Sequence, residues 1–147
     1  MKRYLNNRRT IANGKNYFRF LLAIALYWFV QASHATEARR IIALSPHSVE
    51  LLFAIGAGDR IVATVEYADY PEQAKSILRV GNYAGLKIEK ILALKPDLIV
   101  AWRSGNKATD LQKIESLGFK IHYTQPKSIS QISDDLRLLG ELTGLEE

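Results

Sequence analysis

The 147-residue sequence has no cysteine. This excludes a disulfide, a lipid-modified cysteine anchor and a thiolate zinc centre within it, and leaves cysteine usage silent about compartment. Acidic residues are missing from the start: none precedes Glu37, whereas Lys2, Arg3, Arg8, Arg9, Lys15 and Arg19 all do. The formal charge of +5 therefore belongs to the N-terminus, because the remainder carries 14 basic against 15 acidic residues. A net charge so balanced gives no sign of the basic face expected of a nucleic-acid partner. No GxGxxG and no GxxxxGK[ST] occurs, so nothing marks a nucleotide-phosphate cradle. No Gly-x-Ser-x-Gly elbow is present either. Only four prolines interrupt the chain, and it holds neither an internal repeat nor a low-complexity tract.

The longest apolar run, FLLAIALYWFV from Phe20 to Val30, has 11 residues. A bilayer span needs about 20. Positive charges precede this run and the small residues of QASHA follow it, with Ser33 and Ala35 at the −3 and −1 positions of a cut after Ala35. That order reads as a cleaved secretory signal over residues 1–35. It leaves 112 residues, enough for one domain.

The central stretch of that domain is IEKILALKPDLIVAWRSGN, Ile88 to Asn106. Ile88, Ile91, Leu92 and Leu94 recur at helical spacing. Lys95-Pro96-Asp97 stops the helix, because a residue before proline is pushed out of the α region. Leu98 to Ala101 is then apolar without alternation, the mark of a strand buried on both faces in a parallel sheet. The same grammar repeats along the chain. Arg40–Leu44 and Arg60–Val65 read as strands, and Ser45-Pro46 opens a helix carrying Val49, Leu52, Phe53 and Ile55. Glu72–Ile77 reads as a short helix and Val80–Gly85 as a loop. Lys107–Leu117 reads as a helix, Phe119–Tyr123 as a strand, and Ser128 caps a last helix with Ile129, Ile132, Leu136, Leu139 and Leu142 along one stripe. Strand and helix in alternation predict an α/β fold, a parallel sheet flanked by helices.

In such a sheet ligands bind at the carboxyl ends of the strands. Tyr67 follows the second strand, Tyr83 precedes the central helix and Trp102 follows the central strand. Flat aromatic side chains gathered at one edge suit a large, flat ligand of little charge. Tyr70, beside Pro71, is expected only to pack its loop. His122 on its strand faces solvent or a neighbouring helix, and His47 in the first turn of its helix reads as a solvated residue. Two distant histidines without cysteine do not make a metal cluster, and Ser45 with His47 has no orienting acid identifiable in sequence.

The stretches IIALSPHSVELLFAIGAG, EYADYPEQAKSI, VGNYAGLKIEKILALKPDLIVAW and RSGN carry a resemblance. From Arg40 to Glu147 the chain resembles the periplasmic cobalamin-binding proteins of vitamin B12 importers. The resemblance implies a Rossmann-like lobe of a class III periplasmic binding protein, which holds cobalamin as transported ligand and delivers it to an ABC permease with its ATPase. It implies no catalysis, no resident cofactor, a periplasmic location, and membrane contact only through the transporter. By position, Tyr67, Tyr83 and Trp102 match the aromatic contacts to cobalamin, Tyr83 standing where the family often has tryptophan. Glu89 matches the surface glutamate that docks on a permease arginine. The family also has a second lobe joined by a long helix. Residues 36–127 are thus expected to form the N-terminal lobe and residues 128–147 to begin the connecting helix, with the second lobe absent and the chain a fragment.

Two other readings stand beside this one. The wider superfamily also carries haem and ferric siderophores, for which His47 and Tyr67 are the best available pair of axial groups. A small α/β enzyme would have to rely on Ser45 and His47.

Overall fold

The computed structural model describes residues 37–146. The signal reading concerns residues 1–35 and lies outside the described residues. Six strands and four α-helices are described, in the order β1 (Ile41–Ala43), α1 (Pro46–Ala54), β2 (Ile61–Thr64), β3 (Gly81–Asn82), β4 (Gly85–Leu86), α2 (Ile88–Leu94), β5 (Leu98–Trp102), α3 (Ala108–Ser116), β6 (Ile121–Thr124) and α4 (Ile129–Thr143). Short 3₁₀ helices lie at Gly58–Arg60 and Glu72–Ser76.

The main sheet runs β2-β1-β5-β6, parallel throughout. Its two inner strands, β1 and β5, are the ones whose apolar runs do not alternate. Ile41, Ile42, Ile99 and Val100 have no exposed surface and Leu98 has 1 %. Successive side chains of a strand point to opposite faces, and the core divides accordingly. Ile41, Ala43, Leu98 and Val100 pack with Val49, Leu51 and Leu52 of α1 and Leu139 of α4. Ile42, Leu44, Ile99 and Ala101 pack with Ile88 and Ile91 of α2 and Leu111 and Ile114 of α3. A parallel sheet needs both faces covered because its crossovers put helices there, and truncating one of these buried leucines or isoleucines to alanine costs about 2–5 kcal/mol.

The helix ends follow the expected chemistry at several points. Ser45 Oγ accepts from Ser48 N at 3.3 Å and Pro46 occupies the first turn of α1. Ser128 Oγ accepts from Gln131 N to open α4. Lys95, at φ 46, caps α2 in the left-handed region, just before Pro96. Gly144, at φ 66, closes α4, and its N–H reaches Gly140 O.

Four local expectations are corrected. Val80–Gly85 is not simply a loop: Gly81–Asn82 pairs antiparallel with Gly85–Leu86 in a minimal hairpin. Gly81 is required there, at φ 145 and so close to Gly85 O and Leu86 that a Cβ would collide with both. Arg60 belongs to a 3₁₀ turn and not to a strand, and its guanidinium binds Ala38 O and Thr143 O. Leu92, placed on the apolar face of α2, is 37 % exposed. Ile129 and Ile132, placed on the stripe of α4, are 84 % and 39 % exposed. A 15-residue helix is about 22 Å long and a four-residue strand about 13 Å. One end of α4 therefore overhangs the sheet, and its buried contacts come from Leu139, Gly140 and Thr143 at the other end.

Candidate ligand-binding edge of the sheet

All four strands of the main sheet are parallel, so the loops after β1, β2, β5 and β6 open on one edge. The loop after β2 brings Tyr67 there at φ 67, in the left-handed region, with its side chain 75 % exposed. For a residue with a Cβ that conformation costs about 1–2 kcal/mol, so the surrounding contacts must impose it. Glu66 N donates to Gly81 O at 2.9 Å on one side of Tyr67. On the other side Arg79 holds Ala68 O and the Asp69 carboxylate, each at 3.0 Å.

The bond from Glu66 also ties this loop to the β3–β4 hairpin, whose tip carries Tyr83, 76 % exposed. At the tip, Asn82 Oδ1 accepts from Ala84 N at 2.9 Å. The hairpin's second strand is pinned to α3, where Asp110 Oδ2 accepts from Leu86 N at 2.8 Å.

Trp102 ends β5 and is 40 % exposed. Its backbone N–H donates to Asn106 Oδ1 at 2.7 Å, and Asn106 Nδ2 donates to Leu44 O at 2.7 Å. The indole lies over Gly105, where a Cβ would overlap the ring. The Gly-Asn pair after the tryptophan is thus accounted for: glycine leaves room for the ring and asparagine holds its backbone.

His47 is not the solvated residue expected from its place in the first turn of α1. It is half-buried, its Nε2 lies 2.8 Å from Thr124 Oγ1 at the end of β6, and its ring meets Trp102 at right angles with centroids 5.5 Å apart. Burial lowers its pKa below the usual imidazole range, with Asp135 and Glu50 pulling weakly the other way. At neutral pH the ring is therefore uncharged. Ser45 lies 3.5 Å from it, but Ser45 is 1 % exposed and its hydroxyl is engaged with Ser48 as the cap of α1. A hydroxyl so enclosed has no approach for a substrate, which removes the geometry a nucleophile–base pair would need.

Other titratable groups at this end are structural. His122 is half-buried beside α4, its Nε2 3.8 Å from Asp135 Oδ1, beyond a hydrogen bond. Tyr123 donates to Glu115 Oε1 at 2.7 Å and carries the Arg103 guanidinium 3.9 Å above its ring. Burial, and then the Glu115 contact, push its pKa up to about 12. Among the described residues no group of three or more His, Asp or Glu side chains could hold a metal ion.

Of the remaining sequence candidates, Tyr70 does not pack its loop but is 71 % exposed. Glu89 is exposed at the second position of α2 and makes no hydrogen bond or ion pair among the described residues. The sequence reading missed the roles of His47, Asn106 and Arg103. Only the motif position of Asn106, directly after Gly105 in the loop that follows β5, is a usable signal.

A parallel α/β lobe with exposed aromatics at the carboxyl ends of its strands, and with Ser45 enclosed beside His47, has the make-up of a lobe of a binding protein. The chain belongs to the periplasmic binding protein family, whose family model it matches over residues 41–147. It is 45 % identical over 120 residues to the vitamin B12-binding protein of Vibrio vulnificus, an alignment covering 82 % of this chain and 44 % of that protein. Among solved structures it is similar to the periplasmic vitamin B12-binding protein BtuF of Vibrio cholerae, at 47 % identity and a TM-score of 0.70, covering 72 % of this chain and 42 % of that one. A periplasmic haem-binding protein of Pseudomonas aeruginosa shares the fold, with a TM-score of 0.68 at 21 % identity over 74 % of this chain and 39 % of that one. The chain spans less than half the length of the curated relatives it matches.

Proposed function

We propose that this chain forms a cobalamin-binding lobe of a periplasmic substrate-binding protein, and that Tyr67, Tyr83 and Trp102 receive the ligand. The observation that carries the reading is the exposure of these three aromatics: Tyr67 and Trp102 at the carboxyl ends of β2 and β5, and Tyr83 on a hairpin bonded to the loop of Tyr67. A corrin ring is large and flat, and aromatic faces supply contact area at small entropic cost. The similarity to vitamin B12-binding proteins supports this ligand over others of comparable size. Residues 1–35 direct export to the periplasm and are removed after Ala35, and residues 128–147 form the start of an inter-lobe connecting helix. The loaded protein delivers cobalamin to an ABC permease and its ATPase, with Glu89 as a docking residue.

Haem is the second reading, through His47 and Tyr67. The Nε2 atom of His47 is already occupied by Thr124, which argues against axial ligation.

Titration with cyanocobalamin and, separately, hemin decides between them. Cobalamin binding that weakens at least tenfold in Trp102→Ala, a few kcal/mol being typical for a buried aromatic contact, supports the proposal. Saturable hemin binding with none to cobalamin overturns it. Sequencing of periplasmic material should begin at Thr36; an intact N-terminus in the inner membrane would refute the export reading.

A further inference from the structure

We infer that His47 is the positioning residue for Trp102: held between the Thr124 hydroxyl and the indole, it sets the attitude of that ring at the ligand edge. The inference rests on Trp102 being a ligand contact and assigns a role to a residue outside the aromatic set.

The geometry is a closed chain of contacts. Thr124 Oγ1 donates to Ala101 O at 3.3 Å, which leaves its lone pairs to accept from His47 Nε2–H at 2.8 Å. Ala101 directly precedes Trp102, so the imidazole is tied to the same strand end that carries the indole. Asn106 and Gly105 fix the backbone and one side of Trp102. A perpendicular imidazole at 5.5 Å completes the support, in the geometry that aromatic quadrupoles favour. A 40 % exposed indole would otherwise be free to turn about its side-chain torsions. Ordering it before the ligand arrives reduces the entropy lost on binding. The charged and titratable groups around His47 are Glu50 on α1 and Asp135 on α4, the latter also facing His122 of β6.

The sequence has two tryptophans, Trp28 and Trp102. In the full chain carrying Trp28→Phe, emission reports Trp102 alone. Without ligand, His47→Ala should lower the steady-state anisotropy of that emission, and His47→Phe, which keeps the aromatic contact, should restore most of it. Lowering the pH from 8 to 5 should quench the emission in a single step as the imidazole protonates against the indole, with a midpoint below the ordinary histidine value, and His47→Gln should abolish the step. Cobalamin Kd should rise about tenfold in His47→Ala and less in His47→Phe. If Trp102→Ala loses cobalamin while His47→Ala and His47→Gln leave anisotropy, quenching step and Kd unchanged, the positioning role is overturned and the ligand reading stands. If the anisotropy and quenching respond as expected but neither Trp102→Ala nor His47→Ala alters cobalamin binding, the ligand reading fails and, with it, the role of the pair at that site.

Discussion

Asn106 bridges Leu44 and Trp102 across the carboxyl ends of β1 and β5, accepting from Trp102 N and donating to Leu44 O, both at 2.7 Å. Leu44 N donates to Val100 O, so in a regular parallel ladder the next rung would run from Trp102 N straight to Leu44 O. The carboxamide is inserted into that rung. The strands part at the candidate ligand edge without leaving either backbone group unpaired.

Asn106→Ala should therefore destabilise the protein by about 1–3 kcal/mol, because it strands a donor and an acceptor in a site only 9 % exposed. Asn106→Asp should be no better, since a carboxylate keeps the acceptor but faces the Leu44 carbonyl without a donor. Urea unfolding measures this, and an unchanged midpoint in both variants would show that water replaces the amide.

How far the sequence discloses this edge depends on whether the relevant contact is local. The apolar run Leu98–Ala101 announces its own double burial, and Trp102 is placed at the strand end by counting. The hairpin of Tyr83 is not legible, because strands of two residues have no period to read. Helical spacing assigns Leu92 and Ile129 to an apolar face but says nothing about how far the neighbouring sheet extends, and both are exposed. His47 was misread because its partner, Thr124, lies 77 residues along the chain. Asn106 stood out as part of a motif, but its reach to Leu44 is a tertiary fact.

Stability should fall as the pH drops below about 6.5. Burial lowers the pKa of His47 and of His122, only partly opposed by Asp135. The unfolded chain therefore binds protons at these sites at a higher pH than the native one does. Native stability is lost as pH falls through the ordinary imidazole value toward the depressed native values, and the loss levels off below them. Urea midpoints at pH 7.5 and 5.5 should differ, and His47→Gln with His122→Gln should shrink the difference. Equal wild-type midpoints at the two pH values would contradict the assignment.

Tyr67 offers a test of strain held at the candidate ligand edge. Its φ of 67 is unfavourable for any residue with a Cβ, and its ring is 75 % exposed, so little burial offsets the cost. Tyr67→Gly relieves the backbone and Tyr67→Ala does not. The glycine variant should be more stable than the alanine variant by about 1 kcal/mol in thermal or urea unfolding. Both should bind cobalamin more weakly than wild type. A glycine variant less stable than alanine would mean that the loop relaxes away from φ 67 once the ring is gone.

Substitutions at Glu89 allow docking and ligand binding to be tested separately. It sits at the second position of α2, exposed, whereas Tyr67 follows β2, Tyr83 lies at the tip of the β3–β4 hairpin and Trp102 ends β5. Its contribution to the fold is limited to a carboxylate near a helix N-terminus, worth under about 1 kcal/mol. Glu89→Ala should therefore leave unfolding nearly unchanged and cobalamin affinity constant. If Glu89 meets a permease arginine, the same variant should reduce capture by the purified permease and ATPase. Glu89→Arg should reduce it further, because a favourable pair becomes a like-charge contact. Raising the salt concentration should narrow the gap between wild type and Glu89→Ala, as the wild-type attraction is screened over a Debye length of about 3 Å at 1 M. A variant that keeps the permease and loses the vitamin would reverse the assignment and put Glu89 at the ligand.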